Sequence, residues 1–207
     1  RTPAFQPAYD DTIVHLDLDN TSLGEIGQFY LTRAHYARAI ANLAEMKPAA
    51  QVYDFIFAFP QDPDQDRELI NAVGTARNAY FGMAFDLTPR PPTAESAPVS
   101  DAVAQYLHNS LWRIQTDGSI DGIPAGSYSL MTFPELARES AGIGSLTIEP
   151  DSDGVFRRVP LLVRYEDGVY PALALRVMDD YLSVTPERIK LNSGTSIRLI
   201  GAKDRKS

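Results

Sequence analysis

Two short runs, residues 49–59 (AAQVYDFIFAF) and 79–85 (AYFGMAF), are apolar on both faces, and a segment of helical length separates them. A strand with apolar side chains on both sides has to be covered from both sides, which parallel sheets with crossover helices provide. The intervening residues 64–76 set Leu69, Ile70 and Val73 at helical spacing. Upstream, residues 32–43 (TRAHYARAIANL) open on Thr32, a residue type that caps helix N-termini, and repeat apolar positions at Tyr36, Ile40 and Leu43. Residues 12–19 (TIVHLDLD) alternate, with Val14, Leu16 and Leu18 on one face and Ile13, His15, Asp17 and Asp19 on the other, and predict a first strand with an acidic end. The order β-α-β-α-β predicts a parallel sheet with right-handed crossovers.

The second half reads differently. Residues 151–175 (DSDGVFRRVPLLVRYEDGVYPALAL) carry turn signals at Asp153-Gly154 and Asp167-Gly168 around a β-branched, leucine-rich run. Pro171 is preorganised for a first helical turn and predicts a helix to about residue 182. Residues 99–112 are weakly helical, and residues 120–127 are turn-rich without a clear element. A short helix is expected over 133–141, with Pro134 in its first turn, and a strand over 143–148. Residues 188–191 and 195–200 predict a last strand pair around Asn192-Ser193-Gly194. Residues 87–100 hold Pro89, Pro91, Pro92 and Pro98 and read as a surface loop or hinge. The expected fold is α/β: a mixed β-sheet with helices on both faces, its N-terminal β-α-β-α-β part parallel, its C-terminal β-hairpin plus helix antiparallel, in one domain of residues 1–207.

Composition narrows the function. A formal charge of -8 disfavours nucleic acid and anionic lipid surfaces, and RKS at the C-terminus is the sole basic run. The absence of cysteine removes disulfides, thiolate-bound zinc, iron–sulfur clusters and thiol catalysis. No apolar run approaches the ~20 residues of a membrane span, and the opening RTPAFQPAYDD lacks a signal-peptide core. A start at Arg1 without Met suggests a piece excised from something larger.

Candidate chemistry sits on acids and arginines. His15, Asp17 and Asp19, on one expected strand face, can hold a divalent ion or a polar ligand; the alternative is that Asp19 caps the following turn and Asp17 answers an arginine. Asp54, inside an apolar strand, requires a partner such as Arg33, Arg157 or backbone amides, and a ligand pocket beside it is the minority reading. Alternation places Arg157 with Val155, Val159, Leu161 and Val163 on the apolar face, where it either closes a buried ion pair with Asp54, or failing that Asp17, or presents its fork to an anion. Arg158 falls on the other face. Asp62, Asp64 and Asp66, and likewise Glu149, Asp151 and Asp153, imitate calcium loops but have Val73 and Pro160 at the twelfth position. Phosphate-cradling loops, HExxH and GxSxG are missing, so neither catalytic residues, a metal nor a cofactor is expected. Asn20-Thr21-Ser22 fits a glycosylation sequon that often arises by chance.

Five segments in order resemble the type-2 CHASE domain, an extracytoplasmic sensory module. They are LDLDNTSL (16–23), LTRAHYARAIANL (31–43), VYDFIF (52–57), QDRELINAV (65–73) and IGSLTIEPDSDGVFRRVPLLVRYEDGVYPALAL (143–175). The sequence departs from the family before Arg33, where QFYLTR has no proline, and it stops at Ser207, short of a further glycine-rich strand common in the family. A C-terminal truncation is therefore an expectation of the resemblance.

The resemblance implies a membrane-anchored receptor with its sensor on the extracytoplasmic side of the cytoplasmic membrane. Flanking transmembrane helices would lead to a cytoplasmic effector such as an adenylate or guanylate cyclase or a histidine kinase. The domain itself would have no catalytic activity and would answer an unknown small-molecule or protein stimulus, with a homodimer as one arrangement. Two alternatives remain open from the residues alone: a small metal-dependent or hydrolase-like α/β enzyme using His15, Asp17, Asp19 and Asp54, and a purely structural dimerisation module.

Overall fold

The computed structural model describes residues 12–87, 100–192 and 196–203, so the proline-rich stretch, most of the expected turn after Asn192 and the terminal RKS lie outside the described residues. The chain divides into two units, Arg1–Thr32 and Arg33–Ser207.

In the first unit the expected strand over residues 12–19 is not formed. Residues 13–19 form no regular element and no ladder with any described residue, and Val14, Leu16 and Leu18 are exposed. Alternation sorts side chains onto two faces, but a strand also needs a neighbouring edge and a surface to cover. Helix α1 (Asn20–Ile26) follows, and none of its residues is buried. The Asp19 carboxylate caps it, accepting from the Ser22 amide at 2.8 Å and the Ser22 hydroxyl at 2.7 Å. Gly27 closes it with φ 73°, a left-handed conformation that costs glycine little.

The second unit is built around one strand. α2 (Arg33–Glu45), β1 (Gln51–Val52), α3 (Pro63–Ala76) and β2 (Ala79–Asp86) follow in order. β2 is fully buried from Ala79 to Met83, which explains its uninterrupted apolar sequence. Three strands share its two edges: β1 pairs parallel at Ala79–Tyr80, β4 (Tyr128–Met131) antiparallel at Met83–Asp86, and β5 (Gly142–Ser145) parallel at Tyr80–Met83. Since Tyr80 and Met83 each have two partners, β1 and β4 succeed one another along one edge and β5 occupies the other.

Only two residues of the expected strand 49–59 form β1, yet its ladder runs on. The Tyr53 amide donates to Tyr80 O at 3.0 Å, the Gly82 amide to Phe55 O at 3.2 Å, and the Phe133 amide to Phe57 O at 2.8 Å. Successive residues of β2 then point to opposite faces. Phe81 stacks on Tyr53 and meets Phe57, whose ring lies 5.1 Å from Tyr36 of α2, while Tyr80 donates to Asp180 of α6 (Leu173–Tyr181). Helices therefore cover both faces of a mixed sheet, as the apolar runs require.

The remaining elements are α4 (Asp101–Ser110), β3 (Gln115–Asp117), α5 (Pro134–Glu139), β6 (Leu162–Tyr165), β7 (Gly168–Pro171), β8 (Ile189–Asn192) and β9 (Ser196–Leu199). The antiparallel hairpin β6–β7 and helix α6 match the expected C-terminal unit, except that Pro171 ends the strand by pairing with Leu162 and the helix begins at Leu173. β8 and β9 pair antiparallel, and β3 joins β8 in parallel. β3 and β4 were not expected, because three and four residues leave no period to read. A second core of Trp112, Leu162, Val169, Val184, Ile189 and Leu191 fills this half.

The expected strand ahead of Leu162 fails. Gly154, at φ 80°, makes the tight turn with its amide on Asp151 O, but Val155, Phe156, Val159 and Leu161 are exposed, so no apolar face awaits them.

Candidate functional site

The residues singled out by sequence do not converge. His15 and Asp17 are exposed and lie in no regular element, and Asp19 spends its carboxylate on the helix cap; the hydrogen bonds from Ser22 hold that carboxyl below the usual range. Asp54 is exposed, not buried as expected. It alternates with the inward Tyr53 and Phe55, and its side chain therefore falls on the opposite face.

Arg157 corrects a second expectation. Its side chain is 52% exposed, and its carboxylate partners are local: Asp151 at 3.1 Å and Asp153 at 2.9 Å, in place of Asp54 or Asp17. Those bonds, from Asp153 above all, hold the guanidinium pKa up. The turn at Gly154 folds the chain back so that arginine and acids meet across it. Arg158 is exposed and only grazes Asp151 at 3.7 Å.

Arg33 is buried, but its acid is Asp66 on α3, at 3.3 Å from Nε. Its Nη2 donates to Phe59 O at 2.9 Å, its guanidinium carbon lies 4.1 Å above the Phe57 ring, and Asp66 also accepts from the Gln61 amide at 2.6 Å. Desolvation, opposed by Asp66, lowers the Arg33 pKa. The pair holds α2 to α3. Asp62 caps α3 and Asp64 pairs with Arg67, so this acidic run has structural tasks. Among the described residues no three His, Asp or Glu converge as metal ligands would.

The structure does bring polar groups together elsewhere. A cleft of about 330 Å³ lies between the end of α4, the α5–β5 connection and the last turn of α6, with Tyr106, Arg138, Arg176, Asp179, Asp180 and Thr185 among its walls. Its size is at the low end of small-molecule sites. Arg176 reaches Asp180 at 2.7 Å, donates to Ala141 O at 3.3 Å and lies 3.9 Å from Asp179. Gly142 makes the room: a Cβ there would stand 2.8 Å from Arg176 Nε. The Tyr80 hydroxyl donates to the other oxygen of Asp180 at 2.8 Å.

Asp179 is the unusual member. It is 1% exposed, and no hydrogen-bond donor among the described residues reaches its Oδ1. Burial pushes its pKa up to about 6; Arg176 opposes that shift, while Asp180 and Glu187 add to it. It also lies in the last turn of α6, where the helix dipole disfavours an anion. Sequence reasoning passed over it, since RVMDDY reads as a solvated helix end. The available signal was an adjacent acid pair at a helix C-terminus with one arginine three and four residues before.

The chain belongs to the CHASE2 domain family, whose family model matches residues 1–205; CHASE2 is an extracytoplasmic sensory domain of signalling proteins and is not catalytic. No curated protein and no solved structure matches the chain. No helix among the described residues is long and apolar enough to cross a membrane.

Proposed function

We propose that this chain is the signal-input domain of a membrane-anchored protein, held outside the cytoplasmic membrane between transmembrane helices, and that it controls a cytoplasmic cyclase or kinase. The observation that carries this reading is the family match across nearly the whole chain. The match spans both units, which supports treating them as one functional domain. A stimulus acts by binding one of two conformations better than the other, since a ligand shifts an equilibrium only by its differential affinity. The alternative hydrolase built on His15, Asp17, Asp19 and Asp54 finds no support in an exposed chain segment and an exposed Asp54.

The absence of cysteine offers a direct test. Asp54→Cys in the full-length parent, in intact cells, should take up a membrane-impermeant maleimide beyond the level of the unsubstituted parent. Replacing residues 12–203 by a flexible linker should change the basal output of the cytoplasmic effector. Protection of the cysteine until lysis, or an effector indifferent to the replacement, would sink the proposal.

A further inference from the structure

The cleft between α4, α5 and the end of α6 contains a polar arrangement that the fold does not explain. Among the described residues Asp19 and Asp62 have helix N-terminal amides, and Asp66, whose Oδ1 likewise makes no hydrogen bond, still has the Arg33 guanidinium at 3.3 Å and the Gln61 amide on its other oxygen. Asp179 is nearly as buried as a side chain can be, at the wrong end of a helix dipole, beside Asp180 and near Glu187. Its one cation, Arg176, makes its short bond to Asp180 instead, at 2.7 Å against 3.9 Å, and turns its other nitrogen to Ala141 O. Asp180 is itself satisfied on both oxygens, by Arg176 and by Tyr80. What is left at the cleft is one acceptor, Asp179 Oδ1, with no donor among the described residues.

A buried, unanswered carboxylate is costly to keep, and groups kept at such cost concentrate at functional sites. The missing partner has a definite chemistry. It must bring an N–H or O–H donor, and a positive charge would offset the excess of acid around Arg176, which favours an ammonium over a neutral hydroxyl. It must also be small, since the cleft holds about 330 Å³.

We propose that this cleft is the sensor's ligand site and takes a small primary amine, whose ammonium donates to Asp179 Oδ1. The proposal rests on the sensory reading for its purpose but not for its binding chemistry. The ammonium replaces the donor that the fold lacks, while Arg176 and Tyr80 hold Asp180 so that Asp179 alone is available. Charge-assisted bonds of this kind are the strong ones, and removing the acceptor's charge should cost at least about tenfold in affinity.

The test is titration of the 207-residue chain at pH 7.5 by calorimetry and by two-dimensional amide NMR, with ethanolamine, putrescine and glycinamide as probes and tetramethylammonium as a cation without N–H. At least one amine should bind saturably and shift the amides of residues 176–185, with tetramethylammonium inert at equal ionic strength. Asp179→Asn should weaken that amine about tenfold or more, while Asp64→Asn, an exposed acid away from the cleft, should leave it unchanged. Asp179→Asn removes a buried charge, so it is expected to fold; its amide spectrum checks this. Equal effects of tetramethylammonium, unchanged affinity in Asp179→Asn, or no saturable shift with any amine would each overturn the assignment. Such a failure leaves the sensory reading standing, because the maleimide and effector experiments do not depend on the cleft. Conversely, amine binding in a parent whose effector ignores the domain would uphold the site and remove its sensory purpose.

Discussion

The seam between α2 and α3 and the last turn of α6 both bury acids beside an arginine, and they are built to opposite ends. At the seam Asp66 takes the Arg33 guanidinium and the Gln61 amide, and Arg33 spends what remains on Phe59 O and the Phe57 ring. At α6 a single arginine faces two acids and leaves an oxygen of Asp179 unmet. Arg33 Nε and Asp66 Oδ1 make no hydrogen bond either, but they face each other at 3.3 Å with charges matched one to one, whereas the second site has one arginine for two acids. The difference also fixes how each should respond to mutation.

The largest loss is expected at the seam. Arg33→Ala strands Asp66 in the core, and breaking a buried pair from one side typically costs about 3–5 kcal/mol. Chemical denaturation should show it, and a loss under 1 kcal/mol would mean that the two helices are held by their apolar contacts alone. Next comes Gly144→Ala, whose new Cβ would stand 2.4 Å from Leu173 Cα, a backbone atom at the start of α6 that cannot step aside. Overpacking of this sort costs about 1–3 kcal/mol. Gly142→Ala should cost less, because the obstacle there is the Arg176 side chain, but it should disturb the cleft more.

At α6 the sign reverses. Asp179→Asn should raise the melting temperature at pH 7.5 by about 2–4 °C, an effect on the order of 1 kcal/mol. The pH profile makes this specific. The folded pKa of Asp179, about 6, lies above the ordinary aspartate value of 3.8, so the native state holds its proton more tightly. Its burden is absent below pH 3.8 and grows as pH rises through about 6. The difference between mutant and wild type should therefore be small near pH 4, grow through pH 6 and level off above it. The groups that face Asp179, namely Arg176, Asp180 and Glu187, are shared by both proteins and largely cancel in that difference. A difference independent of pH would show that Asp179 is ionised throughout. The smallest effect belongs to Arg157→Ala: its ion pairs are half in solvent, and the melting temperature should not move measurably.

The same contrast separates what the amino-acid order reveals from what it hides. β2 was legible in AYFGMAF because a run without polar residues has one comfortable place, inside. α3 was legible because Leu69, Ile70 and Val73 recur at helical spacing, and Leu69 and Val73 do face the core; its cap at Asp62 and first residue Pro63 lie just ahead of the expected start at 64. Residues 12–19 and 155–161 misled for one reason: alternation was present, but the edge and the apolar surface that turn alternation into a strand were not. Asp54 and Arg157 followed those strands into error. Asp66 and Asp179 went unrecognised as buried because an acid in a helix carries no mark of what is packed over it, even where it stands in an acidic run or beside a second acid. Burial of a charge is a property of neighbours, and neighbours distant in sequence are what a single chain does not display.

The glycine at position 144 has a mechanical consequence. It lets the first turn of α6 lie directly on β5, where Ser145 and Ala172 form a β-bridge, so that end of the helix is clamped. The opposite end carries Asp179 and Asp180 and passes at Leu182 into a carbonyl that accepts the Lys203 amide at 3.1 Å. Polar bonds to Tyr80 and Ala141 hold that second end where backbone packing holds the first. Loss of the Leu182–Lys203 bond would speed the solvent exchange of the Lys203 amide, which makes that amide a local reporter on the end of α6.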